Sequence, residues 1–155
     1  MDLSSGLVVP FEIGEHRERY IVSRVARDRA FRTIVLEEYR NQCAVCQSMF
    51  ILRETERSYI EAEAAHIVSV PQLGPDDPRN GLSLCRRHHW AFDNGFFCVT
   101  DSMEVRVSPT VKRAVRERFD LEEYDTQPLI PPAHESCRPS LEAVEWHRRK
   151  VFKAS

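Results

Sequence analysis

Two pairs of metal-binding side chains share one spacing in this sequence. Cys43 and Cys46 are separated by two residues, and Cys85 and His88 repeat that separation later in the chain. A turn of this kind brings two ligands to one point, and Zn²⁺ takes four sulfur or nitrogen ligands in a tetrahedron. Unrelated buried cysteines and a core histidine account poorly for two matched pairs. The pattern therefore predicts a closed structural zinc site, and the matched spacing favours His88 over the adjacent His89 as its fourth ligand.

A second group of residues carries the side chains of an open metal site. His89 and Asp93 are four residues apart, so on a helix both project from one face and can chelate an ion. His66 lies at the end of a predicted strand, and Asn80 lies in the loop that leads back to the helix. An imidazole that titrates near neutrality can accept a proton at physiological pH.

A few short elements must position these residues. Apolar spacing predicts a helix over residues 20–39 with a buried face of Val25, Phe31, Val35, Leu36 and Tyr39. A second helix, from Arg86 to Asn94, carries the ligands and ends in a left-handed turn at Gly95. The other predicted elements are the strands Ser48–Leu52 and Tyr59–Ile67, the short apolar segment Leu82–Leu84, a hairpin of Phe96–Val99 and Val105–Val107, a helix Thr110–Phe119, and a final helix capped by Ser140 and running to Phe152.

Bulk composition restricts the class of protein. A chain of 155 residues and 18.0 kDa forms one modest domain, for which a structural metal would supplement a small core. No run of eighteen apolar residues is present, so no membrane span is predicted. The N-terminus lacks the basic and apolar blocks of a secretory signal, so we expect a cytoplasmic protein whose five cysteines serve metal or thiol chemistry. The net charge of −2 does not by itself indicate nucleic-acid binding.

The ordered motifs resemble a known family. From Arg40 to Phe97 the chain reads Cys-x2-Cys, Ala-His-Ile, Asp-Pro-x-Asn-Gly-Leu, Leu-Cys-x2-His-His and Phe-Asp-x-Gly. This order resembles the HNH endonucleases of the ββα-metal class and is far more specific than any one motif. The resemblance implies an α+β fold with a small ββα-metal core held by a structural zinc and flanked by N- and C-terminal helices.

The resemblance also implies a role for each residue of the open site. His66 would take a proton from the attacking water, and Asn80 would orient the strand and loop that carry it. His89 and Asp93 would hold one divalent ion, Mg²⁺ or Mn²⁺ with Ni²⁺ or Zn²⁺ as substitutes, against the scissile phosphate. This ion would neutralise the charge that develops on the phosphate.

One position departs from the family pattern. Many relatives place Asp or His directly before the histidine base, where it binds the metal, and this chain has Ala65 there. Glu63 lies on the same face of a regular strand as Ala65 and is the candidate for the missing ligand, directly or through water. Arg86 and Arg87, beside the site, are the candidate nucleic-acid contacts, with plain surface charge as the alternative.

The function predicted is a metal-dependent endonuclease that hydrolyses phosphodiester bonds in single- or double-stranded DNA, in restriction or phage defence in a bacterial cytoplasm. The alternative is a zinc-stabilised nucleic-acid-binding module with a degenerate catalytic site, which Ala65 motivates. A third interpretation is an interaction domain that docks a partner. We expect an extended arm over residues 1–19, the nuclease domain over 20–122, and a Pro-rich arm with a C-terminal helix packing on the core over 123–155, with a targeting module or partner protein supplying the target.

Overall fold

The described part of the chain is built from helices and short strands. The computed structural model describes residues 21–114 and 120–155, with side chains from residue 26 onward. The helices are α1 (Ile21–Glu38), α2 (Arg86–Asp93), α3 (Pro109–Arg113) and α4 (Leu141–Lys150), and the strands are β1 (Ile51–Arg53), β2 (Ser58–Ile60), β3 (Glu63–His66), β4 (Gly81–Leu84), β5 (Phe97–Val99) and β6 (Val105–Val107). Single 3₁₀ turns cover Val70–Gln72, Pro78–Asn80, Leu121–Tyr124 and Glu135–Cys137. The predicted α+β class is confirmed.

Among the described residues, the strands pair with their neighbours in sequence, as three antiparallel two-stranded sheets: β1 with β2, β3 with β4, and β5 with β6. The predicted strand Tyr59–Ile67 was wrong as one element, because its first part pairs with β1 and its last part pairs with β4. It also ends at His66: the Ile67 N–H still donates to the Asn80 carbonyl in register with the ladder, but the Asn80 N–H donates to the Asp77 carbonyl and the Val68 N–H to the Asn80 side chain. In β3–β4, His66 is opposite Gly81.

Helix α1 packs on the β3–β4 sheet and forms the centre of the core. Phe31, Val35, Leu36 and Tyr39 are buried, as predicted, and the side chain of Val25 lies outside the described part of the chain. The helix comes so close to the sheet that a Cβ on Gly81 would lie 2.5 Å from a methyl carbon of Val35. This contact places α1 directly beside His66 at the end of β3.

Gly95 ends α2 with the predicted left-handed conformation, at φ 70°. Its backbone also meets the end of α4, because Lys153 N–H donates to the Gly95 carbonyl at 3.0 Å. A Cβ on Gly95 would lie 2.1 Å from the Val151 carbonyl oxygen. The residue is therefore required both by the turn and by the packing of the C-terminal segment.

Backbone hydrogen bonds attach the C-terminal segment to the residues that follow and end α1. Ile130 N–H donates to the Ala44 carbonyl at 2.9 Å and Ala133 N–H to the Glu38 carbonyl at 2.8 Å. Helix α4 contacts β5, and Ser140 stands at its N-cap position, although the side chain makes no capping hydrogen bond there. These contacts join residues 123–155 to the core without testing the predicted domain boundary at residue 122.

Two predicted segments reach beyond the described residues. The arm over residues 1–19 lies wholly outside them. The predicted helix Thr110–Phe119 was wrong in its extent, because α3 begins at Pro109 and Ala114 has the extended backbone conformation, and residues 115–119 lie outside the described part. Within the described residues, none of the helices combines the length and the apolar character needed to cross a membrane.

Candidate functional site

The four predicted zinc ligands lie together. The sulfur atoms of Cys43, Cys46 and Cys85 and a ring nitrogen of His88 are all within 4.8 Å of one another. Cys46 Sγ and Cys85 Sγ are 4.0 Å apart, close to the roughly 3.8 Å between two sulfurs that each bind a tetrahedral Zn²⁺ at about 2.3 Å. His88 Nδ1 lies 3.1 Å from Cys85 Sγ and 3.5 Å from Cys43 Sγ. The cluster can hold a metal ion in a closed site.

Backbone hydrogen bonds bring the two ligand pairs together. The turn after α1 closes on itself, because Cys43 N–H donates to the Ser48 carbonyl at 3.0 Å. Ala44 N–H donates to the Ser83 carbonyl at 2.8 Å and so ties this turn to β4. Cys85 then stands at the N-cap of α2, and His88 lies in the first turn of that helix. Residues far apart in sequence therefore meet at one corner of the core.

The electrostatics of this cluster suit a cation. Hydrogen bonds with Cys43 and Cys85 lower the pKa of Cys46, and the ionised thiol is the form that binds metal. Burial acts to lower the pKa of His88, but hydrogen bonds with Cys46 and Cys85 raise it to about 9. The thiolate of Cys46 therefore favours a cation at the centre of the cluster.

His89 does not belong to that cluster. Its Nδ1 lies 2.7 Å from Glu63 Oε2, and its Nε2 lies 3.4 Å from Asp93 Oδ2. The two carboxylates thus meet opposite nitrogens of one ring. His88 is therefore the histidine of the closed site, and His89 has a separate set of partners.

The charged side chains around His89 influence one another. Burial raises the pKa of Asp93. The charge of His89 acts to lower it, and the charge of Glu63 acts to raise it. Glu63 Oε1 also lies 3.4 Å from the guanidinium Nε of Arg86, a predicted nucleic-acid contact that is 75% exposed. Arg87 is exposed as well. A divalent cation at this place would favour the ionised form of both carboxylates.

His66 has a different environment. Its Nε2 lies 3.0 Å from Asp76 Oδ1 in the β3–β4 loop. Its ring stacks on Phe31 of α1, with centroids 4.0 Å apart and planes inclined by 17°. Asp28, also on α1, completes a group in which the possible ligand atoms of Asp28, His66 and Asp76 lie within 4.8 Å of one another.

Asn80 is fully buried behind His66 and uses its side chain to hold the loop. Its Oδ1 accepts from Val68 N–H at 2.9 Å, and its Nδ2 donates to the carbonyls of Val68 and Pro75, both at 3.0 Å. Its own carbonyl accepts from Ile67 N–H at 2.9 Å. These four bonds connect the end of β3 to both sides of the loop.

The sequence-predicted open site is therefore divided. Among the described residues, His66 lies in a group of possible metal ligands with Asp28 and Asp76, and His89 is not part of that group. Asp28 and Asp76 were not among the predicted site residues. Asp76 sits in a Pro- and Asp-rich stretch that reads as an ordinary loop, and Asp28 lies on a helix remote in sequence, so neither carried a recognisable signal.

One comparison with known proteins matches a family over part of the chain. Residues 43–100, which include every predicted ligand together with His66 and Asn80, match the family described as HNH endonuclease. The match covers little more than a third of the chain. The family is one of nucleases, and the matched residues contain the Cys/His cluster that can hold a metal ion.

Solved structures also resemble this chain, among them one described as a modification dependent TagI restriction endonuclease. The two share 23% sequence identity with a TM-score of 0.53, over 79% of this chain and 37% of that one. The likeness concerns the fold, and this chain spans little more than a third of the length of that protein. No curated protein matches the sequence.

Proposed function

We propose that this chain is a metal-dependent endonuclease that hydrolyses phosphodiester bonds in DNA. The observation that carries the proposal is the match to the HNH endonuclease family over residues 43–100, which contains His66, Asn80, His89 and Asp93 in the family order. His66 acts as the general base that takes a proton from the attacking water. Asn80 holds the loop behind it.

The donor set around His89 suits one divalent ion. Two ligands that each bind an octahedral ion at about 2.1 Å lie about 3.0 Å apart, so the 3.4 Å between His89 Nε2 and Asp93 Oδ2 is compatible with chelation. The 2.7 Å between His89 Nδ1 and Glu63 is instead a hydrogen-bond distance. We therefore assign the ion to His89 Nε2 and Asp93, with Glu63 orienting the ring through Nδ1.

Mg²⁺ or Mn²⁺, with Ni²⁺ or Zn²⁺ as substitutes, would bind this partly exposed pair of one nitrogen and one oxygen, complete its ligands with water and phosphate oxygens, and stabilise the negative charge that develops on the phosphate. The cluster of Cys43, Cys46, Cys85 and His88 suits Zn²⁺ in a structural role, because three sulfurs and an imidazole leave no open position in a tetrahedron.

The separation of His66 from His89 agrees with in-line hydrolysis. The attacking water and the leaving oxygen lie on opposite sides of the phosphorus, so the base and the ion have no need to touch. A phosphodiester between the two groups would meet His66 on one side and the His89 group on the other. Arg86 and Arg87, both exposed at the start of α2, are the proposed phosphate contacts.

The biological setting is also proposed. The likeness to part of a longer restriction endonuclease supports a role in restriction or phage defence in a bacterial cytoplasm, with a targeting module or a partner protein that selects the DNA. The test of the activity is cleavage of supercoiled plasmid by the zinc-loaded chain with Mg²⁺ or Mn²⁺. Single-stranded oligonucleotides of DNA and RNA would define the substrate class.

Two variants and one matched control make the test specific. We expect nicked or linear product from the wild type, a loss of about 10²-fold or more for His66→Ala, and a comparable loss for His89→Ala. His134→Ala removes an exposed histidine that pairs with Glu38 and should cleave like the wild type. An inert wild type, or a His66→Ala rate equal to that of the wild type, would refute the proposal.

The alternative, a zinc-stabilised nucleic-acid-binding module without catalysis, is favoured by one observation. Ala65 is fully buried opposite Leu82 and offers no ligand where many relatives have one. This alternative predicts DNA binding that His66→Ala does not weaken, with no cleavage under any of the four metals. Measured binding constants for wild type and variant, beside the cleavage assay, distinguish the two functions.

A further inference from the structure

We infer that Asp76 is a positioning residue for His66, and that it directs Nδ1 of the ring to the attacking water. This inference rests on the proposed role of His66 as the general base. Asp76 Oδ1 lies 3.0 Å from His66 Nε2, and the two side chains are only 13% and 15% exposed. A carboxylate only accepts hydrogen bonds, so this contact requires the hydrogen on Nε2 and leaves the lone pair on Nδ1.

The loop that carries Asp76 is held in place directly before that residue. The carbonyl of Pro75, the residue directly before Asp76, accepts from the buried Asn80 side chain at 3.0 Å. Gly74 passes so close to the end of β3 that a Cβ there would lie 1.7 Å from the Val68 carbonyl oxygen. A loop with these constraints presents the carboxylate of Asp76 in a defined position.

The ring of His66 is held from a second direction. Phe31, itself 2% exposed, stacks on one face of the imidazole. Stacking restricts the tilt of the ring, and the hydrogen bond to Asp76 selects which nitrogen faces the loop. Together they define both the plane and the tautomer of a base that must meet a water in one orientation.

The proposed step combines a proton transfer to His66 with an exchange of bonds at phosphorus. One O–H bond of the attacking water breaks and its proton forms a bond with His66 Nδ1. The water oxygen forms a bond with phosphorus as the bond from phosphorus to the leaving oxygen breaks. The leaving oxygen departs with that electron pair as an alkoxide and takes a proton from solvent water. The ring then carries a positive charge, which lies 3.0 Å from the Asp76 carboxylate.

The direct test is the tautomer of His66 in the zinc-loaded wild-type chain. Nitrogen-15 NMR of the imidazoles at about pH 8.5, where free imidazole is neutral, separates the two forms. We expect the Nε2–H form for His66 in the wild type and a mixture in Asp76→Ala. A wild-type spectrum with the hydrogen on Nδ1 would overturn the inference, and this result does not depend on whether the chain cleaves DNA.

Kinetics provide the second test, with a neighbouring carboxylate as the matched control. Asp76→Ala should lower kcat by about 10- to 100-fold with little change in KM, as is usual when the partner of a functional histidine is removed. Asp28→Ala removes a charge from the same group but not the hydrogen bond to Nε2, and should stay within about threefold of the wild type. Equal, large losses in both variants would indicate a metal site of Asp28, His66 and Asp76 instead. An unchanged kcat in a folded Asp76→Ala chain would also contradict the inference.

Discussion

Replacing Asn80 with alanine removes three side-chain hydrogen bonds, two with the buried backbone of Val68 and one with the half-buried Pro75 carbonyl. The side chain accepts from Val68 N–H at 2.9 Å and donates to the carbonyls of Val68 and Pro75 at 3.0 Å each. Asn80 and Val68 are both fully buried. Because alanine offers neither donor nor acceptor, backbone groups at the end of β3 would be left without their partners.

The size of the effect follows from these three bonds. A buried polar group that loses its partner costs about 1–3 kcal/mol, although relaxation and water entry recover part of this. We therefore expect Asn80→Ala to lower the free energy of unfolding by about 3–5 kcal/mol. This is a large share of the roughly 5–15 kcal/mol that stabilises an ordinary domain.

Urea denaturation of the zinc-loaded chain, followed by circular dichroism, measures the change. Asn94→Ala is the matched control, because the Asn94 side chain donates one exposed hydrogen bond to the Trp90 carbonyl at 2.8 Å. It should cost less than about 1 kcal/mol. A loss below 1 kcal/mol for Asn80→Ala, or equal losses in the two variants, would refute the reasoning that Asn80 holds the loop.

Two further predictions concern metal content and pH. Cys85→Ser should lose the bound zinc, measured by elemental analysis, and several kcal/mol of stability with it, whereas Cys137→Ser, which changes a thiol outside the cluster, should keep one zinc per chain. Retained zinc in Cys85→Ser would contradict the four-ligand site. Burial lowers the pKa of His147 to about 4, so its contribution to stability is complete above about pH 6.5 and is lost as the pH falls towards 4, by up to about 3 kcal/mol. The stability difference between wild type and His147→Gln, measured across this range, should therefore shrink as the pH falls; a constant difference would exclude the effect.

Local spacing was enough to predict much of the molecule. The Cys-x2-Cys turn, the Cys-x2-His turn and the helical pair of His89 and Asp93 depend on the geometry of a few consecutive residues. For the same reason Gly95 could be predicted as the left-handed end of α2. Because the two pairs of predicted zinc ligands have the same spacing and can bind the same ion, the sequence also predicted that these distant parts of the chain meet.

Element ends were predicted less well, because long-range bonds decide them. Nothing in the apolar run after His66 indicates that the strand stops there. It stops because the Asn80 N–H donates to the Asp77 carbonyl and the Val68 N–H donates to the Asn80 side chain, so the ladder does not continue past Ile67. Similarly, the stretch from Tyr59 was predicted as one strand, but it pairs with two different partners and is divided between two sheets.

The sequence by itself predicted the resemblance to the HNH endonucleases, the α+β class and the cluster of Cys43, Cys46, Cys85 and His88, since each depends on residue type and short spacing. Only the tertiary structure decided what surrounds the proposed base. Phe31 and Asp28 come from α1 and Asp76 from a loop, and they reach His66 because α1 packs tightly on the β3–β4 sheet. The same packing leaves His89 with Glu63 and Asp93 in a separate group. Such neighbours are set by the shape of the packed core, which no spacing along the chain encodes.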